Sequence, residues 1–177
     1  MRLQPTILRS GERDDAVAIA ALSVQVFLDT YATDGVRQDL AREAFREYSE
    51  QAFVARLSAS SRRFVLAERQ MALVGFAEID CDAREPPVPG IRGVELARLY
   101  VQPQAQRSGV GTALLRAAEK VALSAEAPAV WLTVWERNDR ALVFYSRSGY
   151  ADVGATVYTF EGREYGNRVF AKQLSAV

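Results

Sequence analysis

Between residues 94 and 119 the chain has to pass from strand to helix within a few residues, and one proline and two glycines fix where. Val94, Leu96, Leu99, Tyr100 and Val101 are β-formers in a short apolar run. Pro103 has no amide hydrogen and cannot continue a ladder, so the strand ends near Gln102. A loop follows, and Gly109 and Gly111 then open a helix whose apolar residues Val110, Leu114, Ala117 and Val121 recur at helical spacing.

A strand, a glycine turn and a helix start together form an anion site. The first-turn amides of a helix have no partner inside it, and the macrodipole adds partial positive charge at that end. Glycines let a ligand reach the backbone. Two familiar versions of this device do not fit. The dinucleotide fingerprint needs a third glycine where Leu114 stands, and the nucleotide triphosphate loop needs a lysine where Thr112 follows Gly111.

Composition narrows the class. With 177 residues, 49% hydrophobic and 25% charged, the chain suits one globular domain over residues 1–177. The 22 basic residues balance 22 acidic ones, so no overall field gathers nucleic acid or a membrane surface. One cysteine, Cys81, and the absence of an apolar leader near the start lead to the expectation of a cytoplasmic protein. No apolar run reaches the roughly 18 residues of a membrane span. There is no histidine, the commonest general base and metal ligand, so no metal is expected.

Along the chain, residues 5–9 read as a strand and 14–31 as a helix. Residues 36–50 are acidic, aromatic and partly helical, 51–59 helical, and 63–68 with 72–80 a hairpin. Residues 82–93, rich in proline and glycine, are a loop long enough to overhang whatever begins at Val94. Residues 129–135, apolar on both faces, read as an interior strand, and Asn138 caps a helix over 140–148 that ends at Gly149. Two further strands, 150–160 and 164–174, are joined by Glu161, Gly162 and Arg163. The predicted fold is α/β (α+β), a mixed sheet of about seven strands flanked by about four helices.

Two motifs carry a family resemblance. Gln106, Arg107, Ser108, Gly109, Val110 and Gly111 match Q/R-x-x-G-x-G/A. Asn138, Ala141, Phe144, Tyr145, Gly149 and Tyr150 match a second signature at the expected distance. Together they resemble the GCN5-related N-acetyltransferases (GNAT). Phe27, Thr30 and Tyr31, with Asp39 and Tyr48, look like the entry segment of PaiA-type polyamine acetyltransferases.

The resemblance implies acetyl coenzyme A as donor, with Leu99, Tyr100 and Val101 as backbone partners of the acetyl and pantetheine groups. Gln106, Arg107, Ser108, Gly109, Val110, Gly111 and Thr112 form the pyrophosphate loop, Asn138 bonds the cofactor, and Arg147 meets the ribose 3′-phosphate. Asn138 reads equally as a helix cap and Arg147 as a solvated charge. Tyr145 is the catalytic candidate for stabilising the departing thiolate, against a core tyrosine. Relatives place a Glu base where Thr133 stands here, so Glu95 is the candidate base, against an exposed strand carboxylate.

The expected reaction is direct acetyl transfer to a primary amine, with a small cationic amine or polyamine favoured. Asp29, Asp34, Asp39, Glu43 and Glu47 supply an acidic wall for it. A protein N-terminus or lysine is the alternative acceptor, and a module that binds acetyl coenzyme A without turnover is the alternative function. A homodimer is open, with the apolar stretch 169–174 as a strand able to pair across it.

Overall fold

The computed structural model describes residues 5–83, 86–160 and 162–174. The elements run β1 (Ile7–Ser10), α1 (Ala16–Tyr31), α2 (Gln38–Glu47), α3 (Glu50–Ser58), β2 (Arg62–Arg69), β3 (Ala72–Asp80), β4 (Val94–Val101), α4 (Val110–Ser124), β5 (Ala129–Trp135), α5 (Asp139–Arg147), β6 (Ala151–Phe160) and β7 (Arg163–Gln173). They form a mixed sheet in the order β1-β2-β3-β4-β5-β7-β6. The expected architecture is present, with five α-helices rather than about four. The extra one arises because Ser49 caps α3, its hydroxyl accepting from the Ala52 amide at 3.2 Å, and so cuts it from α2.

The chain divides into two compact units, residues 5–78 with Arg98–Ala117, and Ile79–Ala97 with 118–174. In the first, β1 and β2 pair antiparallel from Ile7↔Glu68 to Ser10↔Val65. Gln70 and Met71 both have positive φ, 51° and 62°, the twist a two-residue hairpin needs to join β2 to β3. Phe53 and Phe76 are fully buried and sit edge to face at 6.1 Å, and Phe27, Tyr48, Phe64 and Tyr100 extend this aromatic core. Burying each such ring contributes about 1.5–3 kcal/mol. At Gly75 an added Cβ would stand 2.8 Å from the Tyr100 carbonyl oxygen and 3.2 Å from Leu114, so only glycine lets β3, β4 and α4 approach this closely.

In the second unit β4 and β5 run parallel and pair only at Val94↔Val130 and Glu95↔Trp131. The β5 strand then pairs antiparallel with β7 along its whole length, from Ala129↔Gln173 to Trp135↔Asn167. The other edge of β7 is taken by β6, with a bulge between Asp152 and Gly154. This corrects the expectation that residues 169–174 pair across a dimer: β7 is interior, and the terminal strands of the sheet are β1 and β6. The predicted turn residue Glu161 and the loop residues Arg84 and Glu85 lie outside the described residues. The loop around them returns to its own unit, where the Trp131 indole donates to the carbonyls of Ala83 and Gly93 and Val88 packs against Gly154. Among the described residues no helix is long and apolar enough to cross a membrane.

Candidate active site

In the first unit β4 is anchored past its end by the Gln102 amide, which donates to the Val74 carbonyl at 2.9 Å. Pro103–Ala105 then makes a 3₁₀ turn. The Gln106 side chain folds back and donates to the Val101 carbonyl at 3.2 Å, closing the loop on the strand. Arg69 on β2 donates to the Ser108 hydroxyl at 2.7 Å, and that hydroxyl donates to the Ala105 carbonyl. The side chains of Gln106 and Ser108 therefore shape the loop, and the groups left for a ligand are backbone amides.

Those amides are placed as the sequence requires. The first helical bond of α4 runs from the Ala113 amide to the Gly109 carbonyl at 2.9 Å, which leaves the amides of Val110, Gly111 and Thr112 ahead of the ladder. Gly109 has φ +86°, and a Cβ there would meet nothing within 4 Å. The approach to the orphan amides is thus open, a fit for a pyrophosphate. Arg107 also has positive φ, 57°, and its side chain is exposed beside the turn.

On β4, Leu99, Tyr100 and Val101 lead into this loop, and the side chains of Arg98 and Tyr100 enter a polar cluster that the sequence reading missed. Glu78 is fully buried, takes Arg98 at 2.7 Å on one oxygen and Arg62 at 3.0 Å on the other. Arg98 also bonds Glu47, which Arg56 holds from the other side. Burial opposes the Arg98 charge, but Glu78 and its neighbours outweigh it and leave its pKa raised. The Tyr48 and Tyr100 hydroxyls lie 3.0 Å apart, and burial first of all raises both pKa values. The sequence signal was Arg98 itself, a charge in the alternating series Val94, Leu96, Arg98, Tyr100.

The acidic wall is mostly spoken for. Asp39 pairs with Arg37, Glu43 with Arg46, and Glu47 with Arg56 and Arg98, so three of its five carboxylates face arginine in their own unit. Arg37, Arg46 and Arg56 are local partners, and only Arg98 lies far from its carboxylate, Glu47, in sequence.

In the second unit Asn138 caps α5, its side-chain oxygen accepting from the Ala141 amide at 3.1 Å. The cap alternative is therefore realised, and the Asn138 amide nitrogen points to no partner within the cap itself. Tyr145 on α5 is 7% exposed and packs against Phe144, Tyr150 and Phe170, with ring centroids 5.1, 5.8 and 6.3 Å away. Arg147, exposed, is the last residue of α5, where its charge suits the helix dipole. Tyr150, between α5 and β6, donates to Glu119 at 3.2 Å, which also accepts from Lys172 at 2.9 Å, so the segment after α5 is tied to α4 and β7 next to Tyr145. Glu95 is half-buried beside Trp131, and Thr133 follows two residues on along β5.

Known proteins resemble this chain. A family model described as an acetyltransferase (GNAT) domain matches residues 27–162. An uncharacterised N-acetyltransferase of Lactobacillus delbrueckii subsp. lactis is 26% identical over 143 residues, 81% of this chain and 82% of its own. One of Mycobacterium tuberculosis is 25% identical over 164 residues, 90% of this chain and 98% of its own. Among solved structures, the PaiA N-acetyltransferase of Thermoplasma acidophilum in complex with coenzyme A superposes with a TM-score of 0.79 at 20% identity, over 96% of this chain and 99% of that one. With the family model covering more than half of its residues, and with the glycine turn and second motif in the geometry described, the chain belongs to the GNAT family of N-acetyltransferases.

Proposed function

We propose that the protein transfers the acetyl group of acetyl coenzyme A directly to a small cationic primary amine. As a GNAT N-acetyltransferase it uses acetyl coenzyme A as donor. The observation that carries the reading is the row of amides at 110–112, ahead of the α4 ladder and open at Gly109. In this reading they hold the pyrophosphate with Arg107, the Leu99–Val101 backbone takes the pantetheine and acetyl groups, and Asn138 and Arg147 make the remaining donor contacts.

Glu95 takes a proton from the ammonium, directly or through water, and the free amine attacks the acetyl carbon. The C–N bond forms, the C–S bond breaks, and the second proton shed by the attacking nitrogen goes to the thiolate, which leaves as the thiol of coenzyme A. The Tyr145 hydroxyl donates a hydrogen bond to the departing sulfur, whose negative charge it stabilises. No enzyme intermediate forms, and Cys81 takes no part. Support for a cationic acceptor comes less from the arginine-paired wall than from Glu95, a carboxylate on a strand face rich in aromatic rings.

The test is coenzyme A release over a panel of cationic and neutral amines, with products identified by mass spectrometry. Acetylated cationic amines, with a KM that rises with salt, are the expected result. Binding of acetyl coenzyme A with no release on any amine would overturn the transfer reading.

A further inference from the structure

Asn167 on β7 carries, in its side-chain oxygen, the one buried side-chain nitrogen or oxygen among the described residues that has no hydrogen-bond partner. Buried polar groups are almost always paired, because an unpaired one forfeits its hydration without return. Folding does not explain this one, since its strand neighbours offer it no bond.

The register shows what surrounds it. Asn167 stands opposite Trp135 on β5 and Thr156 on β6, and residues opposed in antiparallel ladders share a face. Tyr165, two residues along, is on the same face, and its ring meets Trp135 edge to face at 6.3 Å. Trp131 and Thr133 alternate onto this face as well, and Glu95, alongside Trp131 in the parallel pair, joins them. Arg168, next to Asn167, points the opposite way and is paired with Asp152 at 2.7 Å, and Arg163, which alternation puts on the Asn167 face, stands at the far start of β7 beyond Tyr165.

This face therefore offers an orphan carboxamide oxygen, the negative faces of aromatic rings and one carboxylate. All three favour a positively charged N–H donor. We infer that Asn167 is a binding residue for the acceptor, its side-chain oxygen accepting an N–H from an alkylammonium group flanked by Trp135 and Tyr165. The inference rests on the proposed amine acceptor and adds to it a specific anchor on β7. The unpaired oxygen costs the free protein stability, as binding groups commonly do, and the ligand satisfies it.

The probe is 1,5-diaminopentane, titrated into protein saturated with coenzyme A and followed by tryptophan fluorescence. Wild type, Asn167→Ala and Asn167→Asp are compared. The alanine variant should bind the diamine on the order of tenfold to a hundredfold more weakly, the range for losing a hydrogen bond to a charged partner. Its affinity for acetyl coenzyme A should be unchanged and its Tm about 2–4 °C higher, since an unpaired buried group is gone. Asn167→Asp, which keeps the accepting oxygen and adds charge, should bind the diamine at least as tightly as wild type. Failure of wild type to bind the diamine, or equal binding by wild type and Asn167→Ala, would overturn the inference. Diamine binding that depends on Asn167 but leads to no acetylation supports the anchor and counts against the transfer reading alone.

Discussion

Tyr48 at the end of α2 and Tyr100 on β4 share a hydrogen bond between two phenol hydroxyls, 3.0 Å apart. Burial is the first cause that raises both pKa values above the ordinary 10.0, so both phenols are neutral across the physiological range. A group with a raised folded pKa stabilises fully below its unfolded value and loses that contribution as pH climbs toward the folded one. Stability should therefore begin to fall above about pH 10. The Tyr48→Phe/Tyr100→Phe double variant should fall less steeply there, as urea unfolding across that range would show. At neutral pH each single variant should lose about 0.5–1.5 kcal/mol.

Glu78 holds two guanidiniums from a fully buried position. Glu78→Ala leaves Arg62 and Arg98 without it, and breaking a buried pair in this way costs about 3–5 kcal/mol. Chemical denaturation is the measurement. A loss below 1 kcal/mol would show that water reaches the cluster and screens it.

Gly109→Asp tests the anion site. The side chain has space, so the fold pays only the left-handed backbone cost of about 1–2 kcal/mol. Its carboxylate then stands where phosphate oxygens belong, and calorimetry should detect no binding of acetyl coenzyme A. Binding at wild-type affinity by a folded variant would remove the glycine turn from the donor site.

Tyr145→Phe separates catalysis from packing, because the ring stays and one oxygen leaves. Loss of a thiolate donor should lower kcat about 10²-fold to 10⁴-fold with acetyl coenzyme A affinity nearly fixed. Tm and kcat are to be measured on one preparation with chemistry limiting the rate. A lower Tm with intact turnover of the folded fraction would make Tyr145 a core residue, consistent with its contacts to Tyr150 and Phe170.

Elements governed by local chemistry were legible in the sequence. Pro103 and Gly109 bound the loop, Asn138 capped α5, and a short run apolar on both faces defined β5, because each acts within a few residues. Relations between distant residues were not legible. Glu47 reads as part of an acidic wall until Arg98, far along the chain, is brought beside it, and the strand at 169–174 reads as a free edge until β6 covers it. Asn167 carried only a faint signal, a carboxamide in a strand otherwise suited to β-formers.

The place of β7 between β5 and β6 also fixes an order of events during synthesis. The apolar β5 ends at Trp135 and its antiparallel partner begins only at Arg163, so a nascent chain emerges with one edge of β5 unsatisfied while α5 and β6 are still being made. Such an edge recruits other chains. The segment AVWLTVW therefore keeps one edge unpaired until the residues up to Gln173 are available to it.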